Sequence, residues 1–208
     1  MLRSRDLSIS RTLIRRIAVL SNSHAAAILA GTRRSRKIDL PFYQQSWLLE
    51  FVLSTTQRPP ILRYVDNGTD LLYLDSSVDT IYRANRIFGL RLTDNCVAEY
   101  VKFFFENVSD GALRVIDSAG DINELLQTSL PMGMPAWSGE GSRREETPLR
   151  TTAAVEGWEV EFVGLWMEQL LVTMNVQVAG DGMITPKHSE SLATVGDGKG
   201  TPVRRDQV

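Results

Sequence analysis

The chain has 208 residues, 43% of them hydrophobic and 23% charged, with a net charge of −2. That composition suits one ordinary globular domain with tails, or at most two small ones, and a domain of this size buries a core without staples. Cys96 is the sole cysteine, which excludes an intrachain disulfide and a cysteine-based zinc site within one chain.

The charge is unevenly divided. Residues 1–37 carry nine Lys or Arg against one acid, Asp6, a net of +8, which leaves −10 on residues 38–208. The segment 1–37 reads as a disordered or targeting arm, because it is rich in Arg and Ser and poor in acids, as organelle presequences are. A secretory signal is the weaker alternative. Arg15-Arg16 precede Ile17-Ala18-Val19-Leu20, but Ser21-Asn22-Ser23-His24 interrupt the apolar run. The expected location is cytoplasmic, with organelle targeting or export through residues 1–37 as the other possibility. No apolar run reaches the roughly 18 residues of a transmembrane helix. The acidic remainder is a poor nucleic-acid surface, so nucleic acid or an anionic membrane would be met only through the basic arm.

A single α+β domain is expected over 38–193. Ile38 to Thr55 reads as a helix, with Pro41 in its first turn and a stripe of Phe42, Trp47, Leu48, Phe51 and Val52. Ile61–Val65 and Leu71–Leu74 flank the turn Asp66-Asn67-Gly68-Thr69 and read as a hairpin. Ser76 or Ser77 caps a second helix running to about Phe88, and Gly89 suits its end. Its inner stripe is Val78, Ile81, Tyr82, Asn85 and Phe88. Thr93 is read as the cap of a third helix, with Val97, Tyr100, Val101, Phe104, Phe105 and Val108 on one broad apolar face. Ala112–Ile116 is a strand. Residues 125–148, dense in Pro and Gly, form an irregular loop, and 194–208 form a disordered tail.

Between Leu149 and Leu192 the period changes to two. Trp158, Val160 and Phe162 alternate with Glu159 and Glu161, and Leu170, Val172, Met174, Val176 and Val178 repeat the pattern. Turns fall at Met167-Glu168-Gln169 and at Ala179-Gly180-Asp181-Gly182. Pro186 places the last strand at an edge or at a bend. Gly164 interrupts the alternation, and a bulge or sharp bend there would switch the buried face.

Helices first and antiparallel strands after predict an α+β fold, with N-terminal helices packed on one face of a curved antiparallel β-sheet. In element order alone, from about Asp39 to Leu192, this resembles a cystatin-like or NTF2-like roll. The resemblance transfers no site residue.

Chemistry-bearing candidates are few. His24 and His188 are the two histidines a catalytic triad would need to draw on. His188 sits in a polar strand exit and reads as a solvated edge residue. Cys96 lies near a helix start, where a thiol pKa falls, but reads first as a small packing residue. Asp66, Asp70, Asp75 and Asp79 crowd one hairpin, yet miss the calcium-loop pattern; turn and cap duty explains Asp66 and Asp79. Asp66-Asn67-Gly68-Thr69-Asp70 lacks the spacing and the lysine of a phosphate loop. No catalytic residue, metal ligand or cofactor is therefore assigned, which leans against an enzyme. Tyr82 and Asn85 share an apolar helix face, so Asn85 is either a structural clamp or a polar handle in a pocket, with Trp158, Phe162 and Trp166 as pocket wall or plain core. The leading expectation is a non-catalytic domain that binds a partner or another copy of itself through the sheet. The alternative is a small-molecule pocket, possibly enzymatic, between helices and curved sheet.

Overall fold

The computed structural model describes residues 4–54, 60–116, 118 and 149–194. The loop expected over 125–148 lies outside them, as does all but the first residue of the expected tail. The described residues are α+β, with four α-helices and two five-stranded antiparallel sheets. They fall into two compact units: 1–111 with the short turn 179–183, and 112–178 with the residues from 184 onward. The single curved sheet expected over 38–193 is thus replaced by two sheets in two units.

The first unit begins within the supposed arm. Its elements are β1 (Ser4–Asp6), α1 (Arg11–Leu20), α2 (Asn22–Ala30) and β2 (Thr32–Asp39). Two strands and two helices thus lie where a disordered or targeting arm was expected. Ser10 and Ser21 cap the two helices, accepting from Leu13 N at 3.1 Å and His24 N at 3.3 Å. The apolar residues between the arginines are the reason these elements form. Leu13, Ile17, Ala25 and Ile28 are buried against Leu49, Phe51, Leu53, Leu62 and Tyr64. A run rich in Arg and Ser thus carries an amphipathic stripe, which composition averages away.

The sheet continues through β3 (Trp47–Leu53), β4 (Ile61–Asp66) and β5 (Leu71–Tyr73), in the order β1-β2-β3-β4-β5. The hairpin of β4 and β5 falls where the sequence placed it. The helix expected over 38–55 does not form: Pro41 sits in a turn and Trp47–Leu53 is a strand. Leu48, Leu49, Glu50 and Phe51 are all buried, so both faces of this strand are covered and its apolar run loses the alternation of a one-sided strand. Glu50 is 4% exposed. It lies in register between Arg36 on β2 and Arg63 on β4, and both guanidinium groups donate to it.

Two helices follow. α3 (Val78–Ile87) is capped by Ser77, whose oxygen accepts from Thr80 N at 3.2 Å, and it ends before Gly89 at φ +64°. α4 (Val97–Asn107) starts later than predicted, with Cys96 rather than Thr93 at its N-terminus. The Thr93 amide donates to Cys96 Sγ at 3.3 Å, and the buried thiol is absorbed in that turn. Phe103, not Phe105, is on the buried face of α4, packed 5.2 Å from Phe42 between ring centres.

The second unit holds β6 (Leu113–Val115), β7 (Leu149–Ala154), β8 (Gly157–Trp166), β9 (Leu170–Val178) and β10 (Ile184–Thr194). The predicted meander is present. β10, β9 and β8 are consecutive neighbours, while β7 and β6 share the other edge of β8. Met167 and Glu168 take positive φ in the β8–β9 turn. Pro186 lies on an edge strand, beside a register shift. Gly164 does not bulge, because its pairing with Val172 is continuous. Its smallness serves the approach of β6: an added Cβ would lie 2.6 Å from Leu113 Cδ1.

Candidate functional site

The site is built from the first unit alone, on α3. Asp75 ahead of the helix accepts from the Ser77 hydroxyl at 2.6 Å and the Thr80 hydroxyl at 2.6 Å. Those bonds hold its carboxyl below the usual aspartate range because they favour the ionised form. The helix end is thereby fixed, and α3 presents Asp79, Tyr82, Arg83 and Arg86 to a cleft of about 1040 Å³. Gly180, Asp181 and Met183 of the β9–β10 turn line it too.

Asn85 closes one wall. Its Oδ1 accepts from the Tyr43 hydroxyl at 2.6 Å, and its Nδ2 donates to Tyr100 Oη at 2.8 Å and to the Asp181 carbonyl at 3.1 Å. Tyr100 Oη in turn donates to the Gly182 carbonyl at 2.7 Å. Burial raises both phenols well above the ordinary tyrosine value, so they remain protonated donors. Gly182 is required twice over. Its φ is +84°, and a Cβ would come within 2.5 Å of both Asn85 Nδ2 and Tyr100 Oη. The chain after β9 is thus seated on a three-residue polar clamp, and the amide of Asn85 is fully used by it.

A second, shallower concavity of about 630 Å³ lies at the other end of α3, sharing Arg86 and Gly89 with the first. With its oxygen turned toward Arg91, the Gln44 amide accepts from Nη2 at 2.7 Å and Nε at 2.9 Å. Backbone bonds from Gln44 N to Phe88 O (3.2 Å) and from Arg91 N to Phe42 O (2.8 Å) hold the two segments together.

Of the five residues proposed from sequence, Tyr82 and Asn85 line the larger cleft. Trp158, Phe162 and Trp166 do not; all three belong to β8 in the second unit. Phe162 is fully buried core, Trp158 is half-buried and Trp166 is exposed. Sequence reasoning missed Tyr43, hidden in a segment read as helix, and Gly182, read as a turn residue only. The Gly-x-Gly spacing at 180–182 was the available signal that backbone approaches something closely.

The other candidates are structural. His24 Nδ1 is 2.8 Å from Tyr64 Oη, and its ring meets Tyr73 at 4.6 Å between centres. His188 is exposed on β10. Asp66 is held by Arg16 through two bonds of 3.2 and 2.8 Å and accepts from Gly68 N. Among the described residues, no group of three or more His, Cys, Asp or Glu is placed to hold a metal ion. No described helix is long and apolar enough to cross a membrane. No protein-family model matches the chain, and neither does any curated protein or solved structure.

Proposed function

We propose that the chain is a non-catalytic binding domain whose ligand occupies the α3 cleft. One observation carries this reading: Tyr82 and Asn85, chosen together from one helix face, both line a cleft of about 1040 Å³, the upper size class for small-molecule sites. Acids (Asp75, Asp79, Asp181) and arginines (Arg83, Arg86) both face it. The suited ligand is therefore a small polar molecule carrying both donors and acceptors. Asn85 is wall rather than handle, and Tyr82 supplies the ring surface. In a titration of the isotope-labelled chain with small polar metabolites, saturable NMR shifts are expected at Tyr82, Arg83 and Arg86. Tyr82→Ala should weaken binding about tenfold or more, the worth of a stacked ring with its hydroxyl. Shifts that never saturate for any member of the mixture would remove the proposal.

Self-association through the sheet, the other reading, has one support. β7 runs six residues in unbroken register with β8, and no strand pairs its other edge among the described residues. An edge strand in continuous register is a template for a second strand. By the same rule β10 is guarded, by Pro186 and two register shifts. A monomer at all concentrations in light scattering would dispose of this reading.

A further inference from the structure

Four arginines of the first unit meet a carboxylate. Arg5 meets Asp39, Arg16 meets Asp66, and Arg36 and Arg63 meet Glu50. In each case a carboxylate orients the guanidinium; Asp39 and Asp66 each offset one positive charge, and Glu50 offsets one of the two it holds. Arg91 is oriented instead by a neutral amide, that of Gln44. The guanidinium plane is fixed while its positive charge remains whole.

The bonds to Gln44 occupy one edge of the guanidinium, Nε with Nη2. The opposite edge, Nη1 with the second hydrogen of Nη2, is left over. A guanidinium presents five N–H donors in a rigid fork, and this end-on edge matches two oxygens of a carboxylate or phosphate. It belongs to the concavity of about 630 Å³, which Thr69, Gln45 and Arg86 also line. No carboxylate lines that concavity. Asp70 neighbours it in sequence but accepts from Asn67 Nδ2 at 3.3 Å, inside its own turn. Arg86, exposed at the last turn of α3, adds a second positive charge.

We propose that this concavity binds an oxyanion, a phosphate or carboxylate group, gripped end-on by Arg91 with Arg86 beside it. The proposal does not rest on the Tyr82 cleft: Tyr82 and Arg83 report that cleft alone and Arg91 reports this concavity alone, while Arg86 and Gly89 line both. Either can fail while the other stands.

The test uses the full chain with inorganic phosphate in one titration and acetate in another, followed by NMR at the Arg side chains and Tyr82. Saturable shifts are expected at Arg91, without matching shifts at Tyr82 and Arg83, and strongest for the group the site prefers. Gln44→Glu is the decisive variant. It keeps an oxygen acceptor against Arg91 but adds a neutralising charge, so affinity should drop about tenfold or more, as loss of a charge-assisted bond implies. Arg86→Gln should weaken binding less, and Arg91→Gln should abolish it. Thermal melts identify any variant that fails to fold, and Gln44→Glu and Arg86→Gln then carry the test. Arg33→Gln with Arg34→Gln, exposed on β2, should change nothing. No saturation with either probe at roughly tens of millimolar, the weakest range worth calling a site, overturns the proposal. So does binding that survives Gln44→Glu but disappears in the Arg33 and Arg34 variant, which would mean diffuse charge attraction.

Discussion

The two sheets have the same number of strands and the same antiparallel pairing, yet they handle polar groups in opposite ways. In the first, the central strand β3 is covered on both faces, and its one carboxylate, Glu50, is buried between two arginines. In the second, β8 leaves Glu159 and Glu161 exposed while Val160 and Phe162 are fully buried. A sheet covered on both sides must pair every charge it holds, because a buried lone charge is very costly. The first half of β8, where alternate residues are exposed, leaves its charges to water, and its covered second half, Phe162–Leu165, holds none.

That contrast is open to a direct break. Glu50→Ala leaves Arg36 and Arg63 facing each other without a carboxylate, and the expected loss is about 3–5 kcal/mol in denaturant unfolding. Glu161→Ala, at the equivalent central place in the second sheet, should stay within about 0.5 kcal/mol, as exposed substitutions do. Equal losses at the two positions would show that the sheets do not differ as described.

The same difference decided what could be read from the sequence. One open face writes itself as alternation, so β8, β9 and their turns were legible down to single residues such as Met167 and Pro186. The covered strand β3 reads Trp-Leu-Leu-Glu-Phe-Val-Leu, which carries no period of two, and with Pro41 just before it the segment passed for a helix. The arginines of residues 1–37 misled for a related reason. Arg16 and Arg36 were counted as solvated charge, but each has a carboxylate partner far along the chain, Asp66 and Glu50. Local patterns carry no information about partners 14 or 50 residues away. Of the site, Tyr82 and Asn85 followed from helical spacing. Tyr43 and Gly182, reached only through tertiary folding, did not.

A middle-sized effect probes the clamp, where polar burial in the first unit depends on shape as well as charge. Gly182→Ala puts a methyl into the space of Asn85 Nδ2, Tyr100 Oη and Leu90, and holds a non-glycine residue at φ +84°. Overpacking costs about 1–3 kcal/mol, and the left-handed backbone adds about 1. Gly164→Ala in the second sheet meets chiefly the tip of Leu113, a flexible side chain that can turn aside. Its loss, measured by the same unfolding midpoint, should be the smaller of the two. The reverse order would mean that the clamp yields more readily than the β6–β8 packing.

The smallest effect is one of pH, at the entrance to α3. Asp75 is held below the ordinary aspartate value by the hydroxyls of Ser77 and Thr80, so its ionised form binds the helix start more tightly than it would an unfolded chain. A depressed carboxyl contributes its stability at neutral pH and loses it as the pH falls through the folded-state value. Acidification below the usual carboxylate range should therefore lower the hydrogen-exchange protection of the Ser77 amide, which donates to Asp75 at 3.1 Å, ahead of the amides in β8. Asp75→Asn should remove that acid step while leaving the Ser77 cap in place. Ser77→Ala should cost about 1 kcal/mol, the ordinary worth of an N-cap, and somewhat more at neutral pH than in acid, because the same hydroxyl also holds the ionised Asp75. The first unit, whose Asp75 carboxyl is held by two hydroxyls, has such a step to lose on protonation. A β8 whose carboxylates face water does not.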